Sequence, residues 1–227
     1  MIKKYKIELH CHSKEVSGCS SVSSADAVRL YKDKGYDALT ITDHYYDGFF
    51  ERKNGSWNDK VEAYLKGYKL AQETGAKLGV TVYLGLELRF KGENEDYLLY
   101  GANEEFVLNH PELYNLTQRD IFNLSNECGL FFAQAHPFRS GMINHRSEYL
   151  NGIEVYNAHA EHSSNNPKAL EWAEKSGLIG ISGSDFHAVH HAARGGIFTE
   201  TLPKNEKELA QILRSNQFEL IRTEGFE

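Results

Sequence analysis

Short apolar runs of strand length recur along this chain, separated by stretches whose apolar residues fall at helical spacing. Ile7-Glu8-Leu9, Ala38 to Thr42, Val82 to Leu86, Leu130 to Ala135 and Leu178 to Ile181 are the clearest strands. Asp96 to Ala102, Gly152 to Tyr156 and Phe218 to Ile221 read as further ones. Ala27, Val28, Leu30 and Tyr31 predict a helix capped by Ser23-Ser24 and ended by Gly35. Val61, Ala63, Tyr64, Leu65 and Tyr68 predict a longer one over about residues 58–73, with Gly75 beyond it. Thr117 caps a helix with Ile121, Phe122 and Leu124, Pro167 opens one with Leu170, Trp172 and Ala173, and another runs from Glu206 to Arg214. Strands alternating with helices predict parallel βαβ units. About seven or eight strands favour an α/β barrel over an open sheet.

Where the strands stop carries the chemistry. The first closes on His10-Cys11-His12 and the run Leu178 to Ile181 on Asp185-Phe186-His187. Positions i and i+2 of an extended chain project the same way, so each pair can grip one ion. The three runs between them stop at His44, Glu87 and His136. In parallel α/β folds the C-terminal strand ends form the site, so these residues converge there. Imidazoles with carboxylates and no cysteine cluster suit Zn²⁺, Mn²⁺ or Fe²⁺ rather than Ca²⁺. His10, His12, His44, Glu87, His136, Asp185 and His187 exceed what one tetrahedral catalytic ion needs, so at least two ions are expected.

Length and composition bound the remaining possibilities. With 227 residues, 41% of them hydrophobic, and no Pro- or Ser-rich linker, a single domain over residues 1–227 is expected. A formal charge of −7 argues against an extended nucleic-acid surface, although bound cations would still admit an anionic substrate. Met1-Ile2-Lys3-Lys4-Tyr5 leads into a strand without a signal-peptide core, and the three cysteines Cys11, Cys19 and Cys128 are an odd number. A cytoplasmic location is therefore expected. No apolar stretch reaches the roughly 20 residues of a membrane span.

As a set, Leu9-His10-Cys11-His12-Ser13, Ile41-Thr42-Asp43-His44, Gly85-Leu86-Glu87, Ala135-His136-Pro137-Phe138-Arg139 and Gly183-Ser184-Asp185-Phe186-His187 resemble the motifs of the PHP family, the polymerase and histidinol phosphatase class of metal-dependent phosphoesterases. The resemblance implies a distorted (β/α)7 barrel, two or three divalent metal ions and hydrolysis of phosphate esters. It also implies a His or Asp shortly after the first motif, where this chain offers Glu15 or, alternatively, Cys19, and a ligand on the strand after Glu87, where it offers Asp96.

Phosphate calls for cationic clamps, and the planar fork of arginine suits them. Arg139 and Arg194 are the candidates, and His159 is placed to protonate a leaving oxygen. His162, His190 and His191 lie in loops on the same side, whereas His110 and His145 carry no such signal. Tyr45, Tyr46, Phe49 and Phe50 can wall a substrate pocket or simply pack a loop. The expected reaction is attack on a small phosphate mono- or diester by a metal-bridged hydroxide, with Asp185 holding or receiving a proton. Metal-assisted amide hydrolysis and a non-catalytic metal-binding module are the competing readings.

Overall fold

The computed structural model describes residues 4–143 and 146–223; His145 and Lys3 lie outside them. In chain order the elements are β1 (Tyr5–Cys11), α1 (Ser24–Asp33), β2 (Ala38–Ile41), β3 (His44–Tyr45), α2 (Asp47–Glu51), α3 (Trp57–Tyr64), α4 (Lys66–Leu78), β4 (Thr81–Arg89), β5 (Asp96–Tyr100), α5 (Glu104–Asn109), α6 (Gln118–Cys128), β6 (Phe131–Gln134), β7 (Gly152–Asn157), α7 (Asn166–Ser176), β8 (Ile179–Gly183), β9 (Ile197–Thr199), α8 (Glu206–Ser215) and β10 (Glu219–Leu220). The strands form a nearly closed sheet ordered β10-β9-β1-β2-β4-β5-β6-β7-β8. The chain just past β8 closes it, for Cys11 bridges Phe186 and the His12 N–H donates to the Phe186 carbonyl at 3.0 Å.

The local signals in the sequence explain most of these elements. Ser23 caps α1 by accepting the Asp26 N–H, and Thr117 and Asp120 form a reciprocal capping box on α6. Apolar faces of α1, α4 and α7 pack on the sheet through Val28, Tyr31, Ala71 and Ala169 against Leu39, Leu84 and Ile153. Leu209 and Leu213 of α8 join a second cluster with Leu9, Tyr83, Leu98 and Phe131. No helix among the described residues is long and apolar enough to cross a membrane.

Three expectations need correction. The helix expected over residues 58–73 is two helices that break at Leu65. The break lets α4 press on the loop after β1, where a Cβ on Gly67 would stand 2.1 Å from Ser13 Oγ. Gly75 does not end α4, which runs on to a left-handed Gly79; Gly75 is needed because a Cβ there would meet the Val80 carbonyl at 2.4 Å. Most consequentially, β5 is antiparallel to both β4 and β6, so the βαβ alternation fails there. Reversal brings its first residue, Asp96, rather than its last to the end of the barrel where the parallel strands finish. The short β3, β9, α2 and α5 were not foreseen, being too short for a periodic signal.

Candidate metal centre

The strand ends gather a knot of buried ligand atoms. Glu87 lies at its middle, fully buried, with Oε1 3.1 Å from His10 Nε2 and 3.0 Å from His136 Nε2. Its Oε2 stands 2.7 Å from His44 Nδ1 and 3.4 Å from His12 Nε2. Asp185 Oδ1 completes the group at 3.4 Å from both His10 Nε2 and His12 Nε2 and 3.3 Å from His187 Nδ1. His136 and Asp185 both have positive φ, 27° and 51°, a conformation that costs about 1–3 kcal/mol and clusters at functional sites.

Hydrogen bonds around the knot fix which ring nitrogens are bare. His10 Nδ1 donates to the Glu154 carboxylate at 2.9 Å, so the neutral ring carries its lone pair on Nε2. Ser17 Oγ gives its hydrogen to Asp43 at 2.7 Å and so accepts from His12 Nδ1 at 3.3 Å, which bares His12 Nε2 as well. The two Nε2 atoms nonetheless stand 3.1 Å apart, with carboxylate oxygens around both. Lone pairs brought together in a dry site repel unless a cation lies among them. His136 faces Glu87 through Nε2, while its Nδ1 is buried without a hydrogen bond among the described residues. Burial disfavours a charge on His10, yet Glu154, Asp185 and Glu87 outweigh it and raise its pKa well above the ordinary value, a measure of how strongly the spot attracts positive charge. The donor set therefore fits divalent metal ions.

Among the ligand groups close enough to share ions are His10, Glu87 and His136; His10, His12 and Asp185; and His12, His44 and His187, with His159, His187 and His191 beside them. Cys19 sits beside the third, and although burial pushes its thiol up, hydrogen bonds with His187 and His44 bring it down to about 6. All seven strand-end residues are thus brought together. Asp96 reaches the rim, its Oδ2 3.9 Å from His136 Nε2, but both its oxygens accept from Arg89 at 2.7 Å. Glu15 does not reach the site: the turn after β1 points Ser17 inward and leaves Glu15 accepting the Ser24 N–H at the start of α1. Of the two candidates in this turn, Cys19 is the one that lines the cavity.

A cavity of about 480 Å³ opens over the knot. Arg139 lines it, donating to Asp185 Oδ2 at 2.5 Å and Asn157 Oδ1 at 3.0 Å. Arg194 does not line it; the chain turns toward β9 there, with the Arg194 N–H on Ser184 Oγ at 3.0 Å. His159, His162, His190 and His191 form one wall, and burial drives His159 down to about 3 despite the nearby Asp185 carboxylate. His110 is elsewhere, bonded to the Phe106 carbonyl at 2.8 Å. Tyr45, Phe49 and Phe50 are buried against Tyr64, and none of the four aromatics in that run lines the cavity, so they pack a loop. Glu154, Asn157 and Ser17 escaped the sequence reading. Glu154 orients His10 and also takes the His136 N–H at 2.9 Å, a dual role that its place inside an apolar strand does not reveal.

No curated protein matches this sequence. Solved structures do share the fold. A two-domain protein from Bacteroides vulgatus containing a predicted PHP-like metal-dependent phosphoesterase superposes with a TM-score of 0.67 at 19% identity, over 97% of this chain and 65% of that one. PsfC from Pseudomonas syringae gives 0.68 at 19% identity, over 98% and 93%. An amidohydrolase from Chromobacterium violaceum with bound sulfate and no metal gives 0.56 at 15% identity, over 96% and 98%. This chain spans just under two thirds of the Bacteroides protein. The PHP domain family matches residues 8–225, nearly the whole sequence, and the chain belongs to that family.

Proposed function

We propose that this chain is a hydrolase that cleaves small phosphate esters with two or three divalent transition-metal ions. The observation that carries the reading is the bare His10 and His12 Nε2 pair packed against Glu87 and Asp185. His10, His12, Glu87, His136 and Asp185 would hold two ions, and His12, His44, His187 and Cys19 would hold a third. When bound, such ions lower the pKa of a water and neutralise charge on phosphoryl oxygens.

The chain's own residues supply the rest. Arg139, tethered through Asp185 and Asn157, turns an always-charged group toward the cavity, where it suits a phosphoryl oxygen developing charge. Asp185 Oδ2 accepts from Arg139 and from Asn157 Nδ2 at 3.2 Å; burial pushes this carboxyl up, yet His10 and Arg139 bring it well below the usual range, so Asp185 would act as an ionised ligand rather than take up a proton. The description of the Chromobacterium protein as an amidohydrolase keeps amide hydrolysis as the second reading.

A panel of p-nitrophenyl phosphate, bis-p-nitrophenyl phosphate and p-nitroacetanilide, each with Mn²⁺, Zn²⁺ or Fe²⁺, separates the two. Hydrolysis of a phosphate ester that a chelator abolishes and metal restores is expected. Turnover of the anilide alone would replace the proposal with an amidohydrolase, and metal binding without any turnover would leave an accessory module.

A further inference from the structure

Two loops meet across the cavity mouth, the one after β7 carrying His159, Glu161 and His162 and the one after β8 carrying His187, His190 and His191. The His159 ring packs on His187 and His191 at 5.3 and 4.5 Å between centroids, and Glu161 hydrogen-bonds across the two loops. Its Oε1 contacts His190 Nε2 at 2.5 Å and its Oε2 contacts His191 Nε2 at 2.6 Å. His191 is buried, and its other nitrogen, Nδ1, accepts the His187 N–H at 3.2 Å. That bond requires Nδ1 to be bare, so the His191 proton is on Nε2 and is donated to Glu161. The same reasoning excludes His191 Nε2 as a lone pair for an ion, although Glu161, His190 and His191 are close enough to suggest one.

The backbone of Glu161 makes a second assignment. Its N–H donates to His159 Nδ1 at 3.2 Å, nearer than its carboxylate Oε2 at 3.4 Å, and with that N–H on Nδ1 the ring is held as the Nε2–H form. The His159 backbone is anchored as well, its main-chain N–H donating to Asn157 Oδ1 at 3.1 Å, the oxygen that also receives Arg139. Asn157 thus ties the arginine and the histidine of the cavity wall to one frame.

We propose that Glu161 is a positioning residue, the centre of a hydrogen-bonded strap across the mouth, and that the strap offers His159 to the substrate as a fixed Nε2–H donor rather than as a proton-transferring acid. The donor's partner is a phosphoryl or leaving-group oxygen, so this step rests on the phosphoesterase reading. The strap and the ring's tautomer do not rest on it.

The test uses metal-loaded full-length protein. Nitrogen-15 imidazole spectra at neutral pH should place the His159 proton on Nε2; a proton on Nδ1, or on both nitrogens, would overturn the assignment whatever the substrate proves to be. With the phosphate ester that the panel identifies, His159→Ala should cut kcat by roughly 10²-fold, the scale of a lost transition-state donor. His159→Gln retains an N–H donor without a titrating ring and should stay within about 5-fold of wild type in kcat, whereas a loss equal to that of His159→Ala would mean proton transfer. Glu161→Ala should lower kcat by roughly 10-fold at unchanged KM and unchanged bound Zn²⁺, a smaller effect because the backbone bond to His159 survives. Unchanged kcat would remove the positioning role, and loss of a Zn²⁺ equivalent would show that the cluster holds an ion instead.

Discussion

Glu8 and Glu87 look alike in the sequence and are opposite in the structure. Each is a glutamate followed by leucine inside an apolar strand, and each is fully buried. Around Glu8 the neighbours are donors: Oε1 receives the N–H groups of Leu9, His10 and Ser184 at 3.0, 2.9 and 2.8 Å, and Oε2 receives the Tyr31 hydroxyl at 2.8 Å and the Ser184 hydroxyl. Around Glu87 the neighbours are imidazole nitrogens, several of them bare. A buried carboxylate met by protein donors is already compensated and serves the fold. One met by lone pairs needs an external cation, and that need marks it as functional.

The comparison predicts different failures for the two residues. Glu87→Gln should lower phosphoesterase kcat/KM by about 10³-fold or more and abolish the rise in melting temperature that added Zn²⁺ or Mn²⁺ gives the wild type. Glu8→Ala strands three N–H groups and two hydroxyls, and should cost about 3 kcal/mol or more of unfolding free energy in urea, with or without metal. If Glu8→Ala instead removed metal-linked stabilisation while leaving the metal-free fold intact, the distinction between the two carboxylates would collapse.

A smaller effect sharpens the edge of the Glu87 group, where Cys19 meets His44 and His187. Hydrogen bonds with these histidines lower its thiol to about 6, so in chelated protein the thiolate is present above that pH and is lost as pH falls through it. Iodoacetamide labelling should follow a midpoint near pH 6 rather than the ordinary value of about 8.5, and Zn²⁺ should slow it. Labelling of Cys19 indifferent to Zn²⁺ would exclude it as a ligand.

Much of this was legible because a barrel converts strand ends into neighbours. His10, His12, His44, Glu87, His136, Asp185 and His187 each end an apolar run, and closure of the sheet does the rest. What was illegible depends on directions that spacing does not encode. The reversal of β5 brings Asp96 to the rim by its first residue rather than its last. In the turn after β1, burial of Ser17 determines that Cys19 rather than Glu15 faces the cavity. Arg194 lies near Asp185 in sequence, but its segment is committed to hydrogen bonds with Ser184 and the approach to β9. Glu154 has no sequence mark because its partners, His10 and the His136 backbone, come from two other strands.

The central claim, that the Glu87 group holds several ions, is tested most directly by metal content. Protein purified without chelator should carry at least about two equivalents of transition metal per chain by plasma emission, and Glu87→Gln less than one. One equivalent or fewer in active wild-type protein, or equal content in the two proteins, would contradict it.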